Sequence, residues 1–178
     1  MSDIYFSSDH HFYHHNIIKY CNRPFHNVDE MNSAMITKWN EVVKPNDFVY
    51  YLGDFAFAKP EQMQAIFSSL NGTKILAGIG NHDNGAVKRL SWSSPPTKFA
   101  NLLFKEEWHY LSHYPTDIIS EADTKKFKHK YYFHGHCHGT GGIHKNKIDV
   151  GVDCWGYSPI IIEQLIQTMK ERPLATIL

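Results

Sequence analysis

Asp47-Phe48-Val49-Tyr50-Tyr51-Leu52-Gly53-Asp54 is the stretch that decides how this chain folds. A short continuous apolar run reads as a strand buried on both faces, and the Gly-Asp pair ends it with a carboxylate at its tip. The same arrangement recurs on either side. Asp3-Ile4-Tyr5-Phe6-Ser7 reads as an opening strand that runs into the polar Ser8-Asp9-His10-His11. Lys74 to Ile79 is a second buried run, followed at once by Gly80-Asn81-His82-Asp83. Further on, Trp108 to Leu111 delivers Ser112-His113, and Tyr131 to Phe133 runs into His134-Gly135-His136-Cys137-His138.

Helical patterns fall between these runs. Asn27, with Glu30 three residues on, forms a capping-box signature ahead of Val28, Met31, Met35, Trp39 and Val42 at helical spacing. Pro45 and Asn46 close that segment, and Pro60 to Leu70 reads as another helix ended by Asn71-Gly72. Residues 91–98 are Pro- and Ser-rich and expected to be irregular, and residues 120–130 read as a charged loop. A last strand is expected over 147–154 and a last helix over 158–170, with Ile161, Leu165, Ile166 and Met169 inward. Strands alternating with helices define an α/β sandwich, in one domain spanning 1–178. Ligands in such folds gather outside strand ends, so the five polar tips should share one rim.

Composition narrows the function. Lys plus Arg and Asp plus Glu each number 18, so the formal net charge is zero and no basic field for a nucleic-acid backbone is visible. A neutral chain still suits a small phosphorylated substrate, because bound metal ions bring their own positive charge. Cys21, Cys137 and Cys154 form no paired spacing, which argues against a disulfide framework. With no basic-then-apolar leader and no membrane-length apolar run, the expectation is a cytoplasmic protein without membrane contact. Oligomeric state is not legible.

The 13 histidines are clustered, four within 10–15 and five within 129–144. Together the tips offer Asp9, His11, Asp54, Asn81, His113, His136 and His138: carboxylates, imidazoles and one amide oxygen. That donor set suits borderline first-row ions such as Mn, Fe, Co, Ni or Zn. Seven ligands are too many for one tetrahedral ion and about right for two ions sharing a bridge. Singly, each has a plain structural rival: Asp9 as a helix cap, Asp54 or Asn81 as turn residues, His113 as a hydrogen-bonded core histidine.

The ordered set D-x-H, G-D, G-N-H-D, H and G-H-x-H, running from Asp9 to His138, resembles the calcineurin-like metallophosphoesterase superfamily. SDHHFYHHNIIKYCNRPF (8–25) and VVKPNDFVYYLGDF (42–55) are similar in particular to its small bacterial and phage phosphoesterases. The resemblance implies a four-layer αββα sandwich of two mixed sheets flanked by helices, with a dimetal site at the strand ends. It implies that Asp9, His11 and His138 hold one ion, that Asn81, His113 and His136 hold the other, and that Asp54 bridges them. His82 would be the general acid and Asp83 its supporting group, with a metal-bridging hydroxide attacking a phosphomonoester or phosphodiester in line. His14 would line the substrate pocket, and Arg23 has the fork to grip a phosphate. Two divalent ions are implied, Mn²⁺ the foremost, and a nucleotide is among the candidate substrates. Where many members carry a further acid three positions beyond the bridging Asp, this chain has Phe57.

Several side chains are expected to be peripheral. His10 and His15 could face solvent or be functional, His134 and His144 are expected to be structural or to support ligands, and Cys137 to pack away from the metals. Lys125, Lys126, Lys128 and Lys130 read as a solvated face that could attract a polyanion. An amidohydrolase would need a barrel of about 250 residues, and a zinc deaminase a P-C-x-x-C motif; neither is present. The alternative that survives is a non-catalytic, metal-dependent scaffold for a protein partner.

Overall fold

The computed structural model describes residues 2–115, 126–140 and 146–171. The chain is an α/β sandwich of two mixed four-stranded sheets flanked by helices. The first sheet orders β3 (Thr73–Leu76), β2 (Phe48–Tyr51), β1 (Ile4–Ser7) and β8 (Ile160–Ile161); the first three are parallel and β8 is antiparallel to β1. The second orders β4 (Phe99–Phe104), β5 (Glu107–Ser112), β6 (His129–His134) and β7 (Lys147–Asp149), with β4 antiparallel to β5 and the rest parallel.

Alternation along the strands builds two cores. Tyr5, Val49 and Tyr51 point to a cluster with Met31, Met35 and Trp39 of α2 (Val28–Val42) and Met63, Ile66 and Phe67 of α3 (Pro60–Ser69). Ile17 of α1 (His15–Tyr20) and Val87 of α4 (Gly85–Lys88) join the same cluster. Phe6 and Leu52 point the other way, toward Leu111, Phe133 and Ile148 of the second sheet. Phe6 meets Phe133 edge-on at 5.0 Å between ring centres, a favoured aromatic geometry. Leu165 and Met169 of α5 (Ile162–Glu171) enter this inter-sheet core.

The cap ahead of α2 forms as expected, with Asn27 Oδ1 accepting from Glu30 N at 2.9 Å. Glu30 returns its carboxylate to His26 N rather than to Asn27, one residue further out than a standard capping box. The strand expected over 147–154 ends at Asp149, because the Asp149 carboxylate takes Gly151 N at 2.7 Å and turns the chain. Val152–Cys154 is a 3-10 turn. The last helix begins at Ile162, since Ile160 and Ile161 pair with β1 instead. The charged segment gives way to β6 at His129, and Lys130 there pairs with Glu107. Lys126 and Lys128 are exposed, while Lys125 and His144 lie outside the described residues. Among the described residues no helix is long and apolar enough to cross a membrane.

Register aligns the strand ends. Ser7 lies beside Tyr51 and Tyr51 beside Leu76, while Phe133 lies beside both Leu111 and Ile148. The chain leaves β1, β2, β3, β5 and β6 at their carboxyl ends, and these exits are stitched together. Asp9 N donates to Gly53 O (2.9 Å), His11 N to Asp54 O (3.1 Å) and Gly135 N to His113 O (3.0 Å).

Candidate metal centre

Backbone strain marks the place where these exits meet. Asp9, His11, Asp54, His136 and His138 hold positive φ angles of 59°, 51°, 57°, 72° and 46°. A non-glycine residue in that region costs about 1–2 kcal/mol, and such strain clusters at functional sites. Glycine allows the loops to close on one another. A Cβ on Gly53, at φ 96°, would sit 2.6 Å from Gly80 N and 2.7 Å from the His113 ring.

Two groups of donors converge. Asp9, His11 and His138 bring one ligand atom each within 4.8 Å of one another, as do Asp9, Asp54 and His113. His113 Nε2 lies 3.2 Å from Asn81 Oδ1, 3.2 Å from His136 Nδ1 and 3.5 Å from Asp54 Oδ2. Asp54 Oδ2 is also 3.6 Å from His11 Nε2 and 4.0 Å from His82 Nε2. Ligands bound about 2.1 Å from a common ion lie roughly 3.0–3.4 Å apart, so these spacings fit coordination.

The tautomers support the same reading. His113 Nδ1 faces the Leu52 carbonyl at 2.8 Å, which can only accept, so Nδ1 carries a proton and Nε2 is the nitrogen turned toward the cluster. That nitrogen meets the Asn81 oxygen and the Asp54 carboxylate, oxygens that accept a proton or bind a cation. Asp9 Oδ1 and both nitrogens of His11 are buried with no hydrogen-bond partner among the described residues. Unsatisfied buried polar atoms are rare and call for a cause. Burial pushes the Asp9 carboxyl up to about 7, against the pull of His113, His138 and the Ser8 hydroxyl 2.5 Å away. Burial likewise lowers His11 and His136 below the ordinary imidazole value and favours the neutral form that ligates metals. Buried Asp and His groups able to hold a metal ion are therefore present.

The structure brings all seven ligand candidates into this cluster. His82 stands at its open side, its side chain 39% exposed and its backbone N–H held by Asp54 Oδ1 at 2.9 Å. His14 lies on the same rim, with its ring 5.5 Å from His11 and 6.4 Å from His82.

Two assignments change. Asp83 does not support the His82 ring: its buried carboxylate accepts from Asp54 N (3.0 Å), Phe55 N (3.0 Å) and Gly80 N (2.8 Å). It clamps the loop after β2 to the loop after β3, and burial raises its pKa despite those bonds. Arg23 does not face a pocket. Its buried guanidinium grips Asp153 through Nε and Nη2, both at 2.8 Å, and donates to the backbone oxygens of His10 (2.8 Å) and Asp9 (2.7 Å). The fork is fully engaged inside the protein, on a carboxylate rather than a phosphate.

Asp153 is the residue that sequence reasoning missed. Its Oδ2 lies 2.7 Å from His138 Nδ1, which fixes that ring and leaves Nε2 as the free nitrogen. Burial raises the Asp153 carboxyl, but His138 and Arg23 outweigh it and hold the group below its ordinary value. The His138 ring is drawn down by burial and raised more strongly by Asp153 and Asp9. Carboxylate partners of this kind orient ligand histidines. Asp153 sits 15 residues beyond His138, and no local spacing pairs the two. His10 is fully buried, with Nδ1 against the Tyr51 hydroxyl at 2.9 Å, so it belongs to the packing. His134 is buried as well, and His15 is exposed.

No family model matches the chain. It is 33% identical to the uncharacterized protein MJ1445 of Methanocaldococcus jannaschii, over 96% of this chain and 93% of that one. It is 26% identical to the gene 66 protein of Mycobacterium phage L5, over 88% and 89% of the respective chains. The crystal structure of AQ665, a protein of unknown function from Aquifex aeolicus, matches with a TM-score of 0.77 at 28% identity, covering 94% of this chain and all of that one. Its 33% identity to MJ1445 over nearly the whole of both chains means that the chain belongs to the family of MJ1445.

Proposed function

We propose that this protein is a metal-dependent phosphoesterase that takes a small phosphorylated substrate and works with two divalent ions, Mn²⁺ foremost. The observation that carries the reading is the position of Asp54 Oδ2. It stands 3.6 Å from His11 of one ligand group and 3.5 Å from His113 of the other, where a carboxylate oxygen shared by two ions would stand. Asp9, His11 and His138 would hold one ion, Asn81, His113 and His136 the other. When bound, such a pair supplies Lewis acidity toward phosphoryl oxygens and lowers the pKa of water.

The chain's own residues supply the rest. Asp54 Oδ1 anchors the His82 backbone, and Asp83 ties the Asp54 loop to the Gly80 loop, so the exposed imidazole is held over the open side. There His82 can donate its proton to a departing oxygen, a contribution of about 10²–10⁴-fold in rate. Arg23 and Asp153 act through others, fixing the Asp9 backbone and the His138 ring.

The test is hydrolysis of p-nitrophenyl phosphate and bis-p-nitrophenyl phosphate by metal-stripped protein, with and without added Mn²⁺. Metal-dependent release of nitrophenol is expected, and the ratio of the two rates chooses between monoester and diester chemistry. Equal release without metal would overturn the reading, as would no release in fully metal-loaded protein.

A further inference from the structure

Phe57 is 44% exposed, and its place in the fold is not that of a stray surface aromatic. Its backbone is fixed, because Phe57 N donates to Phe12 O at 2.7 Å beside the bridge between Phe12 and Ala56. Its ring stacks on His14 at 4.4 Å and 21° between planes, lies 4.8 Å from the His82 ring, and is 6.3 Å from the His11 ring. Tyr20, 69% exposed, meets the His14 ring edge-on at 6.2 Å. Exposed aromatics scattered singly are ordinary. Here the Phe57 ring forms an aromatic shelf beside the proposed general acid, on a backbone held by the Phe12 strand bridge.

Position decides what the shelf can do. The group that His82 protonates is the one that leaves, so whatever hangs from the departing oxygen emerges next to His82 and over Phe57. The Phe57 side chain there offers an apolar π face, partly exposed beside the His82 ring. We infer that Phe57 is a specificity-determining residue that stacks a planar aromatic ring carried on the leaving group, as in a nucleoside phosphate. This rests on the phosphoesterase reading for which end of the substrate lies over the shelf. Stacking of a base on an aromatic side chain is worth on the order of tenfold to a hundredfold in affinity.

The experiment compares binding of two non-hydrolysable phosphonates, the analogues of adenosine 5′-monophosphate and of ribose 5-phosphate, to the Mn²⁺-loaded protein by calorimetry. The wild type should favour the adenosine analogue by about tenfold or more. In Phe57→Ala that ratio should fall to within about threefold, and Phe57→Tyr should restore it. A ratio near one in the wild type would overturn the inference. So would a ratio untouched by Phe57→Ala, or one lost equally in Tyr114→Ala, whose ring lies against His113 and His136, 4.9 and 4.8 Å away. Turnover of the two parent esters separates the claims. Base-selective binding without hydrolysis of any ester sinks the phosphoesterase reading and leaves the shelf. Hydrolysis without base selectivity sinks the shelf and leaves the phosphoesterase.

Discussion

Asp153 joins two buried partners that cannot both be served by a neutral side chain. Arg23, its side chain fully buried, relies on the carboxylate for its charge, and His138 relies on it for ring orientation. In Asp153→Asn the guanidinium is left as a buried charge without a counter-ion, which typically costs about 3–5 kcal/mol. The same change should weaken metal affinity by about 10- to 100-fold, since removing a carboxylate that orients a ligand histidine has that effect. Urea denaturation of the metal-free protein reads the first quantity and Mn²⁺ titration the second. A variant as stable as the wild type with unchanged affinity would show that Arg23 and His138 find other partners. The cluster of candidate donors was legible in the sequence, because each strand exit carries a side chain of metal-binding type. Asp83 and Arg23 were misread for a common reason. Apart from Gly80 N, the Asp83 carboxylate takes backbone amides 28 and 29 residues away, and Arg23 takes a carboxylate 130 residues away; such contacts leave no local pattern.

At the scale of elements, β5 and β6 hold a histidine that the metal centre does not use. His109 is fully buried, stacked on Tyr131 at 14° and on Phe133 at 13°, with no hydrogen-bond partner on either nitrogen. Burial lowers its pKa from 6.5 to about 4. Between those values the unfolded chain binds a proton that the folded chain refuses, so stability falls as pH drops from 6.5 toward 4 and levels off below. At pH 5 the linkage amounts to about 2 kcal/mol. His109→Phe keeps the stacking and removes the titration. Comparing denaturation at pH 7.5 and 5.0, the wild type should lose about 2 kcal/mol more than the variant. Equal losses would mean that the ring takes up its proton inside the fold. The long elements here were readable from periodicity and caps, but α1, β4 and β8 were not. Strand β8 is two residues long and β-bonded only to β1, so tertiary pairing overrode the helical pattern around it. Helix α1, six residues without a side-chain cap, lacks every start signal.

Across the whole molecule the donors come from both sheets. Asp9, Asp54 and Asn81 follow strands of the first; His113, His136 and His138 follow strands of the second. A cation bound among them ties the sheets together at the rim, and because the unfolded chain lacks the site, binding adds directly to folding stability. At a free metal concentration 100 times the dissociation constant the gain is about 2.7 kcal/mol, or roughly 5–10 °C in Tm for a chain of this size. Mn²⁺ should raise the melting temperature of metal-stripped protein in a concentration-dependent way. Asp54→Asn should do two opposite things. Without metal, the amide can donate to a ring nitrogen that the carboxylate could only face, so the variant should melt at or above the wild-type temperature. With metal, the shared oxygen has lost its charge and most of the Mn²⁺-induced shift should vanish. A stripped Asp54→Asn protein that melts well below the wild type would place Asp54 in the ordinary structure of the fold. The expected crossing of the two melting curves on adding metal instead identifies a carboxylate held against the stability of its own fold, as site residues often are.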